Sequence, residues 1–524
     1  MFKTELYRAL DQKLMISICV LILCTGIQTL YFSSVPLTTT LDSSHLGNII
    51  IESPNSAPHL YKLFSLFSVI SQYFAPDSLL GFFVVQSLLA VFMPVLLYLT
   101  VFPVGARSAF IATTFYIVSL SPFFYSTWLM LEQILMFCII FSAFFFSRIF
   151  YGSYKVLSGF WLGVSLYGCT IAKNIGVIIP LVATIAIALV LLTDKKTRSA
   201  EFFLAIAVAT LSFYLASVAT NSYFKSYESE TKNYSQVPRF LFCNLYGHAT
   251  EGRNKVRADI SIQSASKIRT SLMYSQSNNP QVFAQFLSRY PNNFSKFVGR
   301  SDVLLSAFVE NKSGAADTMA STNHQYCWYI LQILDSDYGP HVANNILFNV
   351  WKDWVFKEGF GLTHYARSFW KFFFDRPSVA YHGDTVGAPS INPWTVTPKM
   401  YAQISLSPNS YFLTQVGKKF NIFWLNTILA TTPILAALSI ASIISLRSSS
   451  RRPLVLIMLG IVSAFGLVNS VTNITDVRYI SPIYGLLIAL ACIGSQNLYN
   501  LYKLVPYRMM LRVGLKKLSE FTKK

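Results

Sequence analysis

The sequence predicts an all-α polytopic membrane protein with about ten transmembrane helices. Hydrophobic residues make up 53% of the 524 residues and charged residues only 12%, about half the charge of a soluble domain. Apolar runs of about 20 residues, the length needed to cross a bilayer as a helix, recur along the chain. The net charge of +19 does not indicate nucleic-acid binding, because the basic residues fall mainly in loops and tails.

The apolar runs define the spans in order. They cover about 14–33, 78–102, 108–124, 127–147, 157–172, 175–193, 202–222, 421–446, 453–471 and 480–499. The third and fifth runs are short, which is typical of tilted or partly interfacial segments.

These spans divide the chain into four parts. They are an N-terminal transmembrane bundle, 1-222, with a first outer loop at 34-77; a large extracytoplasmic loop region of short helices, 223-420, between spans seven and eight; C-terminal transmembrane helices, 421-499; and a basic cytoplasmic tail, 500-524. The loop region is too long and too rich in aromatic residues to be unstructured. Apolar spacing predicts amphipathic helices near 346–355 and 369–374, and an interfacial helix near 60–74.

Basic residues set the expected orientation. With ten spans, both termini share a side with the even-numbered loops, and those short segments are basic, whereas the opposite short loops hold only Lys62, Lys173 and Arg478. The positive-inside rule therefore predicts that both termini are cytoplasmic. We expect a plasma (bacterial inner) membrane protein, or an endoplasmic reticulum one if the source is eukaryotic.

The seven cysteines show no metal-ligand spacing. Five lie in apolar spans and are most simply small core residues. Cys243 and Cys327 fall in the loop region, where a disulfide between them and two free thiols both stay open.

Four charged residues lie near the outer ends of spans. Asp42 follows the first span, Glu132 lies near the start of the fourth, Lys173 closes the fifth and Arg478 opens the tenth. Charged groups near a membrane core are costly and are candidates for function. A purely structural interpretation stays open, with Asp42 as a helix N-cap and the others as interfacial ion pairs beside a snorkelling lysine.

These side chains favour glycosyl or phosphoryl transfer at a lipid phosphate. A cation must hold the phosphate, and Lys173 and Arg478 can both do so. A carboxylate must take the proton of the acceptor, which assigns Asp42 as general base, with His45 as its rival. Glu132 is left to orient the sugar or acceptor. No cofactor or metal is assigned, although Asp42 and Glu132 together could share a divalent metal.

The order of these elements resembles the GT-C superfamily of integral-membrane glycosyltransferases, in the branch of protein O-mannosyltransferases and the aminoarabinose transferase of lipid A. Asp42 stands where that branch has its catalytic Asp, and Glu132 resembles the acid that opens its fourth span. The run from Thr170 to Gly176 is similar to the Thr-Lys-Gly element that meets the lipid phosphate, with two extra residues before Lys173. Arg478-Tyr479, with Pro482, is similar to an Arg-Tyr-x-x-Pro element.

The resemblance covers 1–222 and 421–499. It implies a glycosyltransferase that moves a hexosyl or pentosyl group from a polyprenyl-phosphate-linked sugar donor to an extracytoplasmic glycan, lipid or protein acceptor, with inversion. Tyr479 and His45 join Glu132 as expected substrate-orienting residues. The expected partners are this donor, the acceptor and membrane lipids, and no nucleic acid.

Two alternatives stay open. A transporter or flippase for a lipid-linked or anionic solute should place charged or broken helices near the bilayer midplane. An O-antigen ligase or polymerase would depend on outer arginines and a histidine more than on a first-loop Asp.

Overall fold

The described part of the chain consists of helices and contains no strand. The computed structural model describes residues 2–35, 79–128, 130–194, 199–225, 360–375, 411–472 and 477–521, together with Leu63, Leu66, Val69 and Phe348. The helices are α1 (Phe2–Ser34), α2 (Leu79–Val101), α3 (Ala106–Val118), α4 (Ser121–Phe124), α5 (Glu132–Tyr151), α6 (Lys155–Ala172), α7 (Ile178–Thr193), α8 (Ala200–Lys225), α9 (Phe360–Phe374), α10 (Tyr411–Ala441), α11 (Arg452–Thr472) and α12 (Val477–Phe521). Short 3-10 segments cover Tyr125–Thr127, Asn174–Val177 and Ser442–Arg447.

Nine of the described helices are long and apolar enough to cross a membrane. They match nine of the ten predicted spans, and their apolar surfaces remain exposed where a bilayer would cover them, as on α1 and α8. The chain is therefore an all-α, multi-pass membrane protein.

The third predicted span is broken. Helix α3 and the segment Ser121–Thr127 meet at 44°. Leu120 adopts a left-handed conformation (φ 57°) and Pro122 begins the next helix, so the α3 helix cannot continue. Ser119, Ser121 and Leu120 are buried, as backbone that leaves the helix at membrane depth must be. The pattern predicted a short span but not this break.

Small residues set the distances between α5, α6 and α8. A Cβ at Gly159 or Gly163 of α6 would overlap the carbonyl oxygens of Ala205 or Ala209 on α8. On the other side of α6, the Ser142 and Ser165 hydroxyl oxygens are 2.9 Å apart, which joins α5 to α6. Close backbone approach through Gly, Ala and Ser is how membrane helices associate without a hydrophobic driving force.

A buried cluster joins α1, α10 and the segment after α4. Tyr31 donates a hydrogen bond to Asn421 Oδ1 (2.8 Å), and the rings of Phe124 and Trp424 stack with centroids 3.5 Å apart. Gln28 Nε2 donates to Ser126 Oγ at 2.9 Å. A polar side chain inside a membrane bundle needs such partners, so these contacts define how α1 and α10 pack on the broken span.

The last helix is longer than predicted. Helix α12 covers 45 residues, from Val477 to Phe521, and so continues from the predicted span 480–499 into the basic tail. The Leu, Met, Lys and Arg residues of the tail favour a helix, and this helix continues through Pro506 and Gly514, which do not. Ile480 to Leu490 are buried, so α12 is central to the packing around it.

The chain divides into two compact units. The first comprises Met1–Ser229, Lys371–Gly466 and Thr475–Lys524, and the second Glu230–Trp370 and Leu467–Ile474. The described part of the second unit includes most of α9, in which Tyr365 is buried and Trp370 exposed, as expected for an amphipathic helix. The predicted boundaries at 223 and 420 stay predictions. The pairing of Cys243 with Cys327 lies outside the described residues.

The α6–α8 contact leads to a test of the fold. Replacing Gly163 with Ala forces a Cβ into the α8 backbone, and overpacking of this kind costs about 1–3 kcal/mol. We expect a clear loss of thermal stability in detergent. Gly26→Ala is the matched control, because nothing lies within 4 Å of a Cβ there and Ala favours a helix over Gly. Equal stability of the two variants would contradict the observed contact.

Candidate functional site

Helices α5 and α6 bring two of the predicted site residues together. These helices are consecutive and antiparallel, so the start of α5 and the end of α6 lie at the same end of the pair. Glu132 is the first residue of α5 and Lys173 follows the last residue of α6. Lys173 Nζ lies 2.6 Å from Glu132 Oε1, which is a short, charge-assisted hydrogen bond.

Glu132 is a buried carboxylate at a helix N-terminus. Its side chain is 2% exposed, a burial that carries a high cost for a charge unless it is paired. The positive end of the α5 helix dipole and the ammonium of Lys173 both stabilise the negative charge. Two buried glutamines fix the chain that leads to Glu132: Gln86 donates to the Met130 carbonyl at 3.1 Å and Gln133 to the Pro122 carbonyl at 2.8 Å.

Lys173 lies at a sharp break between α6 and the 3-10 segment. Its backbone is extended (φ −161°, ψ 146°), and the Gly176 N–H donates to the Lys173 carbonyl at 2.8 Å to close a turn. Gly176 packs so closely on the Cys169 carbonyl that no Cβ fits between them. The Lys-Asn-Ile-Gly sequence therefore leaves the helix in one tight turn and projects Lys173 from the end of α6.

Tyr479 supplies the third side of the site. Lys173 Nζ lies 4.9 Å from the centroid of the Tyr479 ring, within the range of a cation–π interaction. Tyr479 is buried in the first turn of α12, a helix that begins where α6 ends and α5 begins. The ammonium is thus held between a carboxylate and an aromatic ring.

The structure brings together Glu132, Lys173 and Tyr479, which the sequence had placed in one site. Arg478 is in the first turn of α12, next to Tyr479 in the chain, but the structure does not describe its side chain. Asp42 and His45 lie outside the described residues. The catalytic assignment to Asp42 therefore stays a prediction.

The cluster lies at the ends of membrane helices rather than at their centres. The candidate spans run from Glu132 to Tyr151, from Lys155 to Ala172 and from Tyr479 to Lys503. Glu132 and Tyr479 begin two of them and Lys173 directly follows the third. A charge at this depth reaches the headgroup layer.

The arrangement can bind an anion. Lys173 carries a positive charge and donates to Glu132, and its side chain is 20% exposed, ten times the fraction of Glu132. An incoming anion therefore meets the ammonium first, with the carboxylate behind it. No group of three His, Cys, Asp or Glu side chains within the described ranges could hold a metal ion.

Sequence reasoning missed the direct pairing of Lys173 with Glu132 and with Tyr479. The signal for the first was present, because the fourth and fifth spans are consecutive, so charges at their shared end must be neighbours. Gln86 and Gln133 were also missed. A glutamine within an otherwise apolar span is unusual enough to have marked both positions.

Fold and site together define a multi-pass α-helical membrane protein with a charged cluster at one end of its bundle. No protein-family model matches the chain, and no curated protein or solved structure matches it either.

The ion pair leads to a double-mutant test. Lys173→Met removes the ammonium from a buried carboxylate, and such a loss costs about 3 kcal/mol, the low end for buried pairs because Lys173 is partly exposed. Lys173→Met combined with Glu132→Gln removes both charges of the pair and should recover most of the stability, measured by thermal unfolding in detergent.

The pair of Lys155 and Glu201 is the matched control. Its atoms are 3.5 Å apart and its side chains are 24% and 52% exposed, so equivalent substitutions should cost less than about 1 kcal/mol. Simple additivity at Lys173 and Glu132 would show that the two side chains do not depend on each other.

Proposed function

We propose that this protein is a glycosyltransferase of the GT-C type that uses a polyprenyl-phosphate-linked sugar donor. One observation carries the proposal: a partly exposed lysine, backed by a buried carboxylate and an aromatic ring, stands at the ends of several membrane helices. A lipid-linked phosphate has its negative charge at this depth and its chain in the hydrocarbon layer.

The surface beside Lys173 supports a lipid-linked ligand. Val177, Leu181 and Ile185 lie one helical turn apart, starting four residues after Lys173, and each is more than half exposed. This apolar stripe runs away from the site along α7. An isoprenoid chain lying along it would leave its phosphate beside the ammonium.

The proposed reaction needs three roles. Lys173, with Arg478, binds the donor phosphate and stabilises the charge that develops on it as the sugar leaves. Asp42 takes the proton of the acceptor hydroxyl, which attacks the anomeric carbon from the opposite face and inverts its configuration. Glu132, Tyr479 and His45 position the groups around the phosphate and sugar.

A transporter or flippase is the second candidate, and the broken third span favours it, because broken helices line the substrate sites of many transporters. The charged cluster at span ends favours transfer. Reconstituted vesicles separate the two: a transporter moves a lipid-linked sugar across the bilayer unchanged, whereas a transferase releases the sugar from its phosphate.

Donor binding should depend on Lys173. A charge-assisted contact contributes roughly 1.5–3 kcal/mol, so Lys173→Ala should weaken binding of a decaprenyl-phosphate-linked sugar about tenfold or more. Lys155→Ala, at the other end of α6, should leave the affinity unchanged. Native mass spectrometry in nanodiscs measures both, and equal affinities of the two variants would remove Lys173 from the site.

Turnover should depend on Asp42. Asp42→Asn keeps the shape of the side chain and removes its basicity, so transfer to an acceptor should slow by at least about a hundredfold while donor affinity stays unchanged. Radiolabelled sugar transfer from a panel of decaprenyl-phosphate-linked hexoses and pentoses measures the rate. Full activity of Asp42→Asn together with loss of activity in His45→Ala would move the base to His45.

A further inference from the structure

We infer that Glu132 makes the site release its lipid product, by preventing Lys173 from favouring a phosphate monoester over a phosphate diester. The inference rests on the proposed function, since it concerns the same phosphate site. It gives Glu132 a role distinct from orienting the sugar.

The chemistry of transfer changes the charge of the lipid. In the donor the phosphate is a diester with one negative charge. The acceptor oxygen forms a bond to the anomeric carbon, the bond from that carbon to the phosphate oxygen breaks, and the electron pair stays on the phosphate. The acceptor proton goes to the general base. The lipid product is a phosphate monoester with a charge of about −1.5 to −2 at neutral pH.

A bare cation would hold this product more tightly than the donor. Each added negative charge strengthens the attraction of the phosphate to an ammonium. An enzyme with Lys173 alone would therefore favour its spent carrier over its substrate. Product release limits turnover in many enzymes, and tight product binding would make it do so here.

The observed geometry opposes this preference. Glu132 Oε1 is 2.6 Å from Lys173 Nζ, and a phosphate oxygen hydrogen-bonded to the same nitrogen lies at most about 5.5 Å from that carboxylate oxygen. A like charge within about 4–6 Å disfavours ionisation of a group by an order of magnitude or more. The second charge of the monoester thus gains attraction from Lys173 and repulsion from Glu132 together.

The burial of Glu132 keeps this repulsion effective. Its side chain is 2% exposed, so water screens it weakly, and it stands at the start of α5, where the helix and two neighbouring glutamines hold the chain. The Tyr479 ring covers another side of the ammonium and adds no negative charge. The repulsion is therefore built into the position of Glu132 and does not depend on a rearrangement of its helix.

The test compares two lipid probes that differ by one charge. Decaprenyl phosphate is the monoester and decaprenyl methyl phosphate the diester, and both are titrated against the full chain in phosphatidylcholine nanodiscs by native mass spectrometry. Glu132→Gln should tighten monoester binding about tenfold more than diester binding. Steady-state transfer by this variant should also become more sensitive to inhibition by added decaprenyl phosphate.

Glu201→Gln is the matched control. It removes the same charge from an ion pair at the other end of α6, so the ratio of the two affinities should not change. Equal tightening of both probes in Glu132→Gln, or no change in either, would overturn the inference, because a merely structural role does not distinguish the charge of the ligand.

Two further variants cover a failure of Glu132→Gln to fold and a failure of the proposed phosphate site. If Glu132→Gln does not fold, Glu132→Asp withdraws the carboxylate by one methylene and should shift the ratio in the same direction by a smaller factor; an unchanged ratio overturns the inference. Lys173→Ala tests the proposed function, on which this inference rests. If neither probe loses affinity in that variant, the proposed function fails, whereas a Lys173-dependent affinity with an unchanged ratio in the Glu132 variant defeats this inference alone.

Discussion

The pairing of one buried carboxylate with one lysine is the constraint on which the rest of the described bundle depends. The ammonium of Lys173, 2.6 Å away, stabilises the negative charge of Glu132 beneath the surface. That contact requires the ends of α5 and α6 to lie side by side, and the serine contact between the two helices helps to hold them together. It also requires Gly176, because any larger residue would open the turn that projects the lysine.

The broken third span follows from a similar need. Leu120 and Pro122 end the helix inside the bundle, and the freed segment is then held by polar and aromatic partners from other helices. Gln133 binds the carbonyl of Pro122 itself. The break therefore fixes the position of the chain at the start of α5. The irregular backbone at the break thus helps to position the charged cluster.

The sequence predicted the architecture well, because span length and apolar composition are strong signals in a membrane protein. It predicted ten spans, nine of which match described helices, and it placed Glu132, Lys173 and Tyr479 in one site, since charges near the ends of spans are few. It did not predict the break at Leu120, which depends on local backbone geometry within an apolar run. It also did not predict the contact of Lys173 with Tyr479, because the hydrophobic periodicity of a helix does not show which other helices it contacts. Asp42 and His45, outside the described residues, stay predictions.

The narrow contact between α6 and α8 has a consequence for how the chain assembles. Much of α8 faces outward, including Leu204, Leu211 and Leu215, and its backbone packs tightly against the two glycines of α6. A helix this apolar stays in the bilayer whether or not it finds its neighbour, because its backbone hydrogen bonds are internal. Enlarging either glycine would thus weaken the docking of α8 while leaving the helix inserted in the bilayer. The defect would lie in the packing of helices within the membrane, after insertion, and the transmembrane topology would be unchanged. In a cell, such a variant would have every span inserted in the correct orientation and one helix poorly packed.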